Sequence, residues 1–178
     1  MKKKRCNWVT DEEIYIKYHD DEWGIPTHDD RELFEMLVLE SFQAGLSWIT
    51  ILKKRKSFKK AFDNFDVEKV ADYDENKVGE LSENKNIIRH KGKINSAINN
   101  AKVFIKIQKE FGSFDEYIWS FTDRKIIKAE YLTESELSNK ISKDLKKRGM
   151  KFVGPTIIYS YLESIGIIDN HQKDCFKY

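Results

Sequence analysis

Both cysteines of this chain, and two of its four histidines, lie in two short segments at opposite ends of the sequence. Cys6 and His19 lie near the start, and His171 and Cys175 lie within the last eight residues. Two cysteines and two histidines are the ligand set of a closed, structural zinc site. The two pairs therefore predict one zinc ion that holds the two termini of a domain together. A disulfide or two ordinary buried thiols are the alternatives, although a reducing cytosol disfavours the disulfide.

Length and charge limit the kinds of protein that this chain can be. Its 178 residues suffice for one domain, residues 1–178, built as a single body or as two small helical lobes around a cleft. The net charge of +2 does not by itself indicate a polyanionic partner. Basic residues nevertheless cluster in residues 53–60, 89–93 and 143–151, which form either solvated helix faces or one stripe for nucleic acid.

The start of the chain predicts its compartment. No apolar run follows the basic residues 1–5, so no signal peptide is expected. No stretch approaches the roughly 18 apolar residues of a membrane span. We therefore expect a cytoplasmic protein with no membrane partner and no nucleotide cofactor, and a monomer by default.

Hydrophobic residues recur mainly with the period of an α-helix, and strand patterns are nearly absent. One helix begins after a cap at Asp29 or Asp30 and is interrupted at Gly45, and Ser47 can cap the next one. Further helices are predicted over residues 48–56, 66–73, 75–81, 94–111, 114–119, 135–148 and 155–165. The expected fold class is all-α, a compact array of many short helices, with residues 123–133 as a surface loop.

Five aromatic residues crowd the first part of the chain, namely Trp8, Tyr15, Tyr18, Trp23 and Trp48. Electron-rich rings can enclose a flat or cationic ligand, and a desolvated cation over such a ring gains about 2 kcal/mol. Packing in an ordinary hydrophobic core is the alternative, because aromatic side chains are also large hydrophobes.

Glu40 follows an apolar run and precedes the turn at Gly45. Glutamate is rarely buried without a partner, so a glutamate in this position is a candidate site residue that accepts hydrogen bonds from a ligand amine or orients water. An exposed glutamate at the end of a helix is the other interpretation.

A short hairpin with glycines at both ends is predicted between two helices, at residues 149–154. Backbone amides in such a hairpin, and the first turn of the helix that begins at Pro155, can bind phosphate. Nearby lysines would add attraction that does not depend on base sequence. The candidate DNA-binding residues here are Lys151, Phe152, Val153 and Gly154. A plain helix-turn-helix corner explains the pattern equally well.

Several of these segments, taken in order, resemble DNA-3-methyladenine glycosylase I over nearly the whole chain, from Cys6 to Cys175. The resemblance rests on Trp8, Tyr-x-x-Tyr-His-Asp-x-Glu-Trp-Gly at 15–24, Leu-Phe-Glu-Met at 33–36, Leu-Glu-Ser-Phe-Gln-Ala-Gly-Leu-Ser-Trp at 39–48, Ile-Arg-His-Lys-Gly-Lys-Ile at 88–94, Trp-Ser-Phe at 119–121, and residues 145–156. It implies a helix-hairpin-helix glycosylase fold, with a zinc ion held by the four cysteines and histidines at the termini.

The resemblance also implies an activity, which is release of 3-methyladenine from alkylated double-stranded DNA. That base is cationic in DNA and must leave the base stack to be reached. Trp48 would stack on the flipped base, Glu40 would be the catalytic-site carboxylate that accepts a hydrogen bond from its amine, and Tyr15 and Tyr18 would contribute hydrogen bonds or ring faces. Trp8 and Trp23 would form the walls of the pocket.

Other positions are implied less directly. Leu46, at the tip of the Gly45 turn, is expected to wedge into the duplex. Thr156 occupies the position where related strand-cleaving enzymes have a lysine, so a monofunctional enzyme without a lyase step is expected. Asp169 is a candidate for an assisting aspartate or for a partner of a metal ligand. Phe42 stands where some relatives have glutamine.

Two other functions fit parts of the pattern. A non-catalytic, zinc-stabilised module could use the same aromatic residues to bind damaged DNA or a methylated cation. A zinc-stabilised helical scaffold for protein contacts would not need the hairpin to bind DNA at all.

Overall fold

The computed structural model describes residues 3–129 and 132–178. Nine α-helices make up most of this part of the chain: α1 Glu13–Asp21, α2 Asp30–Gln43, α3 Trp48–Ala61, α4 Val67–Ala71, α5 Glu75–Glu83, α6 Lys91–Phe111, α7 Phe114–Ser120, α8 Glu136–Lys147 and α9 Pro155–Ser164. A 3₁₀ turn, Asp63–Phe65, follows α3. The expected all-α fold class is confirmed.

Helix α2 lies at the centre of the fold, because every residue from Leu33 to Phe42 is buried. It contacts α3, α6, α7 and α9. Asp29 caps the helix and accepts hydrogen bonds from the amides of Arg31 and Glu32, both at 3.0 Å. The carboxylate of Asp30 accepts from the first amides of α7, at 2.9 and 2.8 Å, and so fixes α7 against α2. Residues of α2 therefore reach several other elements at defined positions.

Two local predictions need correction. Ser47 precedes α3 as expected, but its hydroxyl bonds that of Thr50 at 2.8 Å and caps no backbone amide. The predicted surface loop at 123–133 contains a two-residue strand, β1 (Ile127–Lys128), which pairs in parallel with β2 (Ile168–Asp169). The prediction for residues 130 and 131 lies outside the described residues.

Two of the predicted basic segments are partly internal. Arg55 of α3 donates to Glu35 of α2 at 2.7 Å and forms an ion pair with Glu22 after α1, so it joins three elements. Lys93 of α6 is buried. No helix among the described residues has the length and apolar character needed to cross a lipid bilayer.

Candidate base pocket, metal ligands and DNA-facing loops

A cavity of about 190 Å³ opens between α1, α2 and α9. All six residues that the sequence predicts for ligand binding and catalysis line it: Trp8, Tyr15, Tyr18, Trp23, Glu40 and Trp48. Five further residues line it that the sequence does not single out: Gln43, Ser160, Glu163, Asn170 and Gln172. We call this cavity the base pocket, after the base-binding role that the sequence predicts for its aromatic residues. The aromatic residues therefore surround a space and are not merely packed into a core.

The rings of the base pocket are tilted against one another rather than stacked. Trp8 lies 5.1 Å from Tyr15 and 5.0 Å from Trp23, measured between ring centroids, with interplanar angles of 58° and 75°. Tyr18 lies 5.4 Å from Trp48 at 53°. Tilted rings leave their faces and edges free to border the cavity instead of covering one another. This arrangement suits a flat ligand.

Two polar atoms at the base pocket are buried without a hydrogen-bond partner among the described residues, namely Oε2 of Glu40 and Nε1 of Trp48. Glu40 lies in the last turn of α2 but is only 3% exposed, so the interpretation as an exposed glutamate at a helix end is wrong. Burial raises the pKa of Glu40 well above its ordinary value, and the nearby Glu163 raises it further. An acceptor and a donor that are both buried and unpaired are costly to the protein alone and are available to a ligand.

The tyrosines of the base pocket stay protonated. Burial raises the pKa of Tyr18 well above its ordinary value, and Glu40 adds to the shift. The pKa of Tyr15 is raised chiefly by burial as well. Each phenol therefore keeps its O–H at neutral pH, and can donate a hydrogen bond.

Cys6, His19 and Cys175 come together near the base pocket as a possible metal-binding group. Their three ligand atoms lie within 4.8 Å of one another, and all three residues are buried. Nε2 of His19 lies 3.5 Å from Sγ of Cys175. The predicted fourth ligand, His171, is outside this distance group but adjacent, with its ring centroid 5.3 Å from that of His19.

The surroundings of this group fit a metal. Nε2 of His171 is buried with no partner among the described residues. Nδ1 of each histidine bonds a carboxylate, that of Asp20 for His19 at 2.8 Å and that of Asp169 for His171 at 2.7 Å. Histidines that bind a metal usually donate their second nitrogen to a carboxylate in this way. Asp169 thus lies where it can orient His171, and it is not among the residues that line the base pocket.

The two ends of the chain meet at this group. The amide of Asn7 donates to the side chain of Gln172 at 2.8 Å, and that of Phe176 donates to the carbonyl of Lys4 at 2.9 Å. Gly24, with a φ of +76°, lies so close to the ring of His171 that an added Cβ would come within 2.7 Å of it. A larger residue at position 24 would therefore displace His171.

Two loops present residues expected to face DNA. The first, residues 44–47, turns at Gly45 with a φ of +79° and exposes Leu46 to 40%. The second is the hairpin between α8 and α9, residues 148–154, in which Lys151 and Phe152 are exposed. Val153 is fully buried, main chain included, so neither its side chain nor its amide is exposed to a ligand.

Helix α6 holds both loops. The buried Lys93 donates to the carbonyls of Phe42 at 2.9 Å and Ala44 at 2.5 Å. Asn100 makes two hydrogen bonds with the backbone of Lys151, at 2.8 and 2.9 Å. The amides of Phe152 and Gly154 donate to no described residue, and neither residue is buried, so these two amides are available to an external acceptor.

Comparison with known proteins agrees with this geometry. A family model described as methyladenine glycosylase matches residues 8–178. DNA-3-methyladenine glycosylase 1 of Escherichia coli K12 is 43% identical, over 98% of this chain and 97% of that protein. DNA-3-methyladenine glycosylase of Haemophilus influenzae Rd is 42% identical, over 96% of each.

Solved structures give the same result. A crystal structure of 3-methyladenine DNA glycosylase I superposes with a TM-score of 0.94 at 43% identity, covering 97% of this chain and 98% of that one. The Staphylococcus aureus enzyme, whose structure concerns 3-methyladenine recognition, superposes with a TM-score of 0.93 at 39% identity, covering 97% and 95%. By sequence and by structure, this chain belongs to the methyladenine glycosylase family.

Proposed function

We propose that this protein is a monofunctional DNA repair glycosylase that hydrolyses the N-glycosidic bond of 3-methyladenine in alkylated double-stranded DNA. The observation that supports it most is the base pocket, in which aromatic rings border a cavity that also contains an unpaired carboxyl oxygen of Glu40. Membership of the family supports the same activity, as do the names of its relatives, which are DNA-3-methyladenine glycosylases.

Recognition would begin with rotation of the damaged nucleotide out of the duplex, which costs a few kcal/mol of unstacking. Trp48 would then stack on the base, and the phenols of Tyr15 and Tyr18 would donate hydrogen bonds or offer ring faces. Trp8 and Trp23 would form the walls. A cationic purine is attracted electrostatically to these ring faces, and a neutral adenine lacks this cation–π attraction.

Glu40 would accept a hydrogen bond from the exocyclic amine of the base. Burial keeps its pKa high in the free protein. A cation in the base pocket favours the ionised carboxylate and so lowers that pKa. The same residue can thus be neutral while the pocket is open to water and charged when the damaged base is bound.

The hydrolysis needs few further groups from the protein. Methylation leaves the base positively charged, so the base departs as a neutral leaving group and no acid has to protonate it first. The sugar passes through an oxocarbenium-like state, to which water adds. Thr156, exposed at the start of α9, has no amine, and a strand-cleaving step through that position is therefore not expected.

The duplex would be held by the loops at residues 44–47 and 148–154, which side chains of α6 hold in place. Leu46 would fill the gap left by the flipped base, and the free amides of Phe152 and Gly154 would bind phosphate together with the charge of Lys151. Val153 would support the hairpin from inside the fold. We also propose that residues 1–178 form one glycosylase domain with two helical lobes around the base pocket. The protein would act as a cytoplasmic monomer. Residues 148–154 and their flanking helices would form a helix-hairpin-helix element.

The metal-binding group would hold one structural zinc ion through Cys6, His19, His171 and Cys175. Two thiolates and two imidazoles suit zinc, and the carboxylates behind both histidines are the partners that such ligands use. A zinc ion there would join the two termini next to the wall of the base pocket. The ion would be structural and would take no part in the hydrolysis.

Incubation of the purified protein with methylated duplex DNA tests the activity. We expect release of free 3-methyladenine, detected by chromatography, and intact strands until the abasic sites are cleaved by alkali. Folded protein that binds the DNA but releases no base would instead support the non-catalytic binding module. DNA binding that is absent or insensitive to salt would support a protein scaffold.

A further inference from the structure

The base pocket contains a second acidic residue, Glu163, which lies on α9 across from Glu40 of α2. It is partly buried, and Nδ2 of Asn170 donates to its Oε1 at 2.6 Å. Tyr18, Glu40 and Glu163 all line this one cavity, and each of the two carboxyl groups raises the pKa of Tyr18, while Glu163 also raises that of Glu40.

Neither carboxyl group has a cationic partner in the part of the chain that the structure describes. No described lysine, arginine or histidine forms an ion pair with Glu40 or Glu163. Buried carboxyl groups are ordinarily paired with a cation, because an isolated buried charge is costly. Two carboxyl groups with no described cationic partner line one aromatic cavity here. This arrangement indicates a site in which the ligand supplies the positive charge that the protein lacks.

We propose that Glu163 is a specificity-determining residue of the base pocket, which acts with Glu40 to select cationic purines over neutral ones. The inference rests on the proposed function and extends it, since the discrimination between damaged and normal adenine, ascribed above to the aromatic rings, is here ascribed to two acidic residues as well. Asn170 would keep the Glu163 carboxylate turned towards the cavity.

Burial agrees with this role. It raises the pKa of Glu163 to about 7, although the hydrogen bond from Asn170 opposes the shift. A bound cation would draw this carboxyl into its ionised form near neutral pH at small cost. A neutral purine provides no such compensation.

The test compares two probes that differ in charge and in the N3 methyl group. The 3,9-dimethyladeninium ion is a cation at neutral pH, and 9-methyladenine is its neutral counterpart. Binding of each is measured by quenching of tryptophan fluorescence in the wild-type protein and in Glu163→Gln, which keeps the acceptor for Asn170 and removes the charge. We expect Glu163→Gln to reduce the preference for the cation about tenfold, which is the size of a screened charge–charge interaction across a pocket.

Two further variants make the outcome specific. Glu163→Asp keeps the charge and should retain most of the preference, and Glu68→Gln, at an exposed position on α4, should behave as the wild type. An unchanged preference in Glu163→Gln overturns the proposal, and so does an equal loss of affinity for both probes, which would assign the residue a structural role. Wild-type protein that releases 3-methyladenine but shows no preference for the cation overturns this inference alone. Failure to release the base overturns the proposed function itself.

Discussion

The buried ammonium of Lys93 donates a hydrogen bond to the main-chain carbonyl of Ala44, at 2.5 Å, across two helices that are separate in sequence. The same ammonium donates to the carbonyl of Phe42, so one side chain of α6 closes the end of α2 just before the turn at Gly45. Desolvation lowers the pKa of Lys93. The position of Leu46 thus depends on α6.

Replacement of Lys93 by methionine should loosen this turn. Two carbonyls would lose their donor, which costs about 1–3 kcal/mol of stability, and Leu46 would no longer be held in one place. We expect release of 3-methyladenine from duplex DNA to fall more than binding of the free base, measured by fluorescence. Lys102→Met, at an exposed position on the same helix, is the matched control. Duplex activity that survives in Lys93→Met would show that the turn needs no such support.

Glu40→Gln should separate recognition from stability. Because burial already favours the neutral form of Glu40, a neutral isostere should leave the melting temperature nearly unchanged. A hydrogen bond to a charged group is worth about 1.5–3 kcal/mol, so we expect base release to fall about 10- to 100-fold. Single-turnover kinetics and thermal unfolding check the two effects.

Glu35→Gln is the control for that experiment. Glu35 lies on the same helix but does not line the cavity, and its Oε1 accepts a hydrogen bond from Arg55 at 2.7 Å. It should lower the melting temperature and preserve base release at low temperature. A Glu40→Gln protein that unfolds much earlier than the wild type while keeping full activity would contradict the role assigned to Glu40.

Much of the candidate site follows from short segments of sequence. Tyr15, Tyr18 and Trp23 lie within nine residues of one another, and the turn at Gly45 links Glu40 to Trp48. Local helix geometry is enough to bring such residues together. The all-α fold class was also predictable, because the helical spacing of hydrophobic residues is a local property of the sequence.

The rest depends on packing between distant elements. Glu163 lies in an amphipathic helix, where its position in sequence is compatible with an ordinary exposed glutamate. It reaches the base pocket only because α9 packs against α2. The parallel pair formed by Ile127–Lys128 and Ile168–Asp169 has the same origin, since two residues show no period and their partners are 41 positions apart. No sequence pattern predicts contacts of this kind.

Stability should depend on pH through Glu163. Its pKa rises from 4.5 to about 7 on folding, chiefly through burial, so between these values the folded protein binds more protons than the unfolded chain. The free energy of unfolding therefore decreases as the pH rises from 4.5 to 7, by up to about 3 kcal/mol from this group. Glu40, which faces it, changes stability in the same direction, and the raised pKa of Tyr18 keeps that phenol neutral throughout.

Urea unfolding of the wild type and Glu163→Gln across this range isolates the contribution. The difference in free energy between the two proteins should widen in favour of the variant as the pH rises, while Glu68→Gln follows the wild type. A difference that stays constant with pH would mean that Glu163 is ionised at all of these values.

Removal of the proposed zinc ion should destabilise the protein without abolishing the chemistry. A structural zinc ion contributes its binding free energy to folding, so treatment with a chelator should lower the melting temperature, and Cys175→Ser should do the same. Elemental analysis should find one zinc per chain in the wild type. Base release below the lowered melting temperature should persist. Identical melting with and without chelator, in protein free of metal, would argue against a zinc site.

Lys151 should contribute to binding of the phosphate backbone and not to binding of the base. Its side chain is exposed, and its own amide is committed to Asn100 at 2.9 Å, so the ammonium is the group left to reach DNA. Each phosphate contact from a cation adds about 0.9 to the slope of log affinity against log salt concentration. Lys151→Ala should therefore reduce that slope by about 1 for undamaged duplex, as measured by fluorescence anisotropy at several salt concentrations.

The same variant should bind free 3-methyladenine as the wild type does, because Lys151 does not line the base pocket. Lys125→Ala, exposed in the turn before β1, is the control and should leave the slope unchanged. If both lysine variants shift the slope equally, the effect belongs to the overall charge and the hairpin has no particular part in holding DNA. A shift confined to Lys151→Ala locates the phosphate contact at residues 148–154, beside the free amides of Phe152 and Gly154.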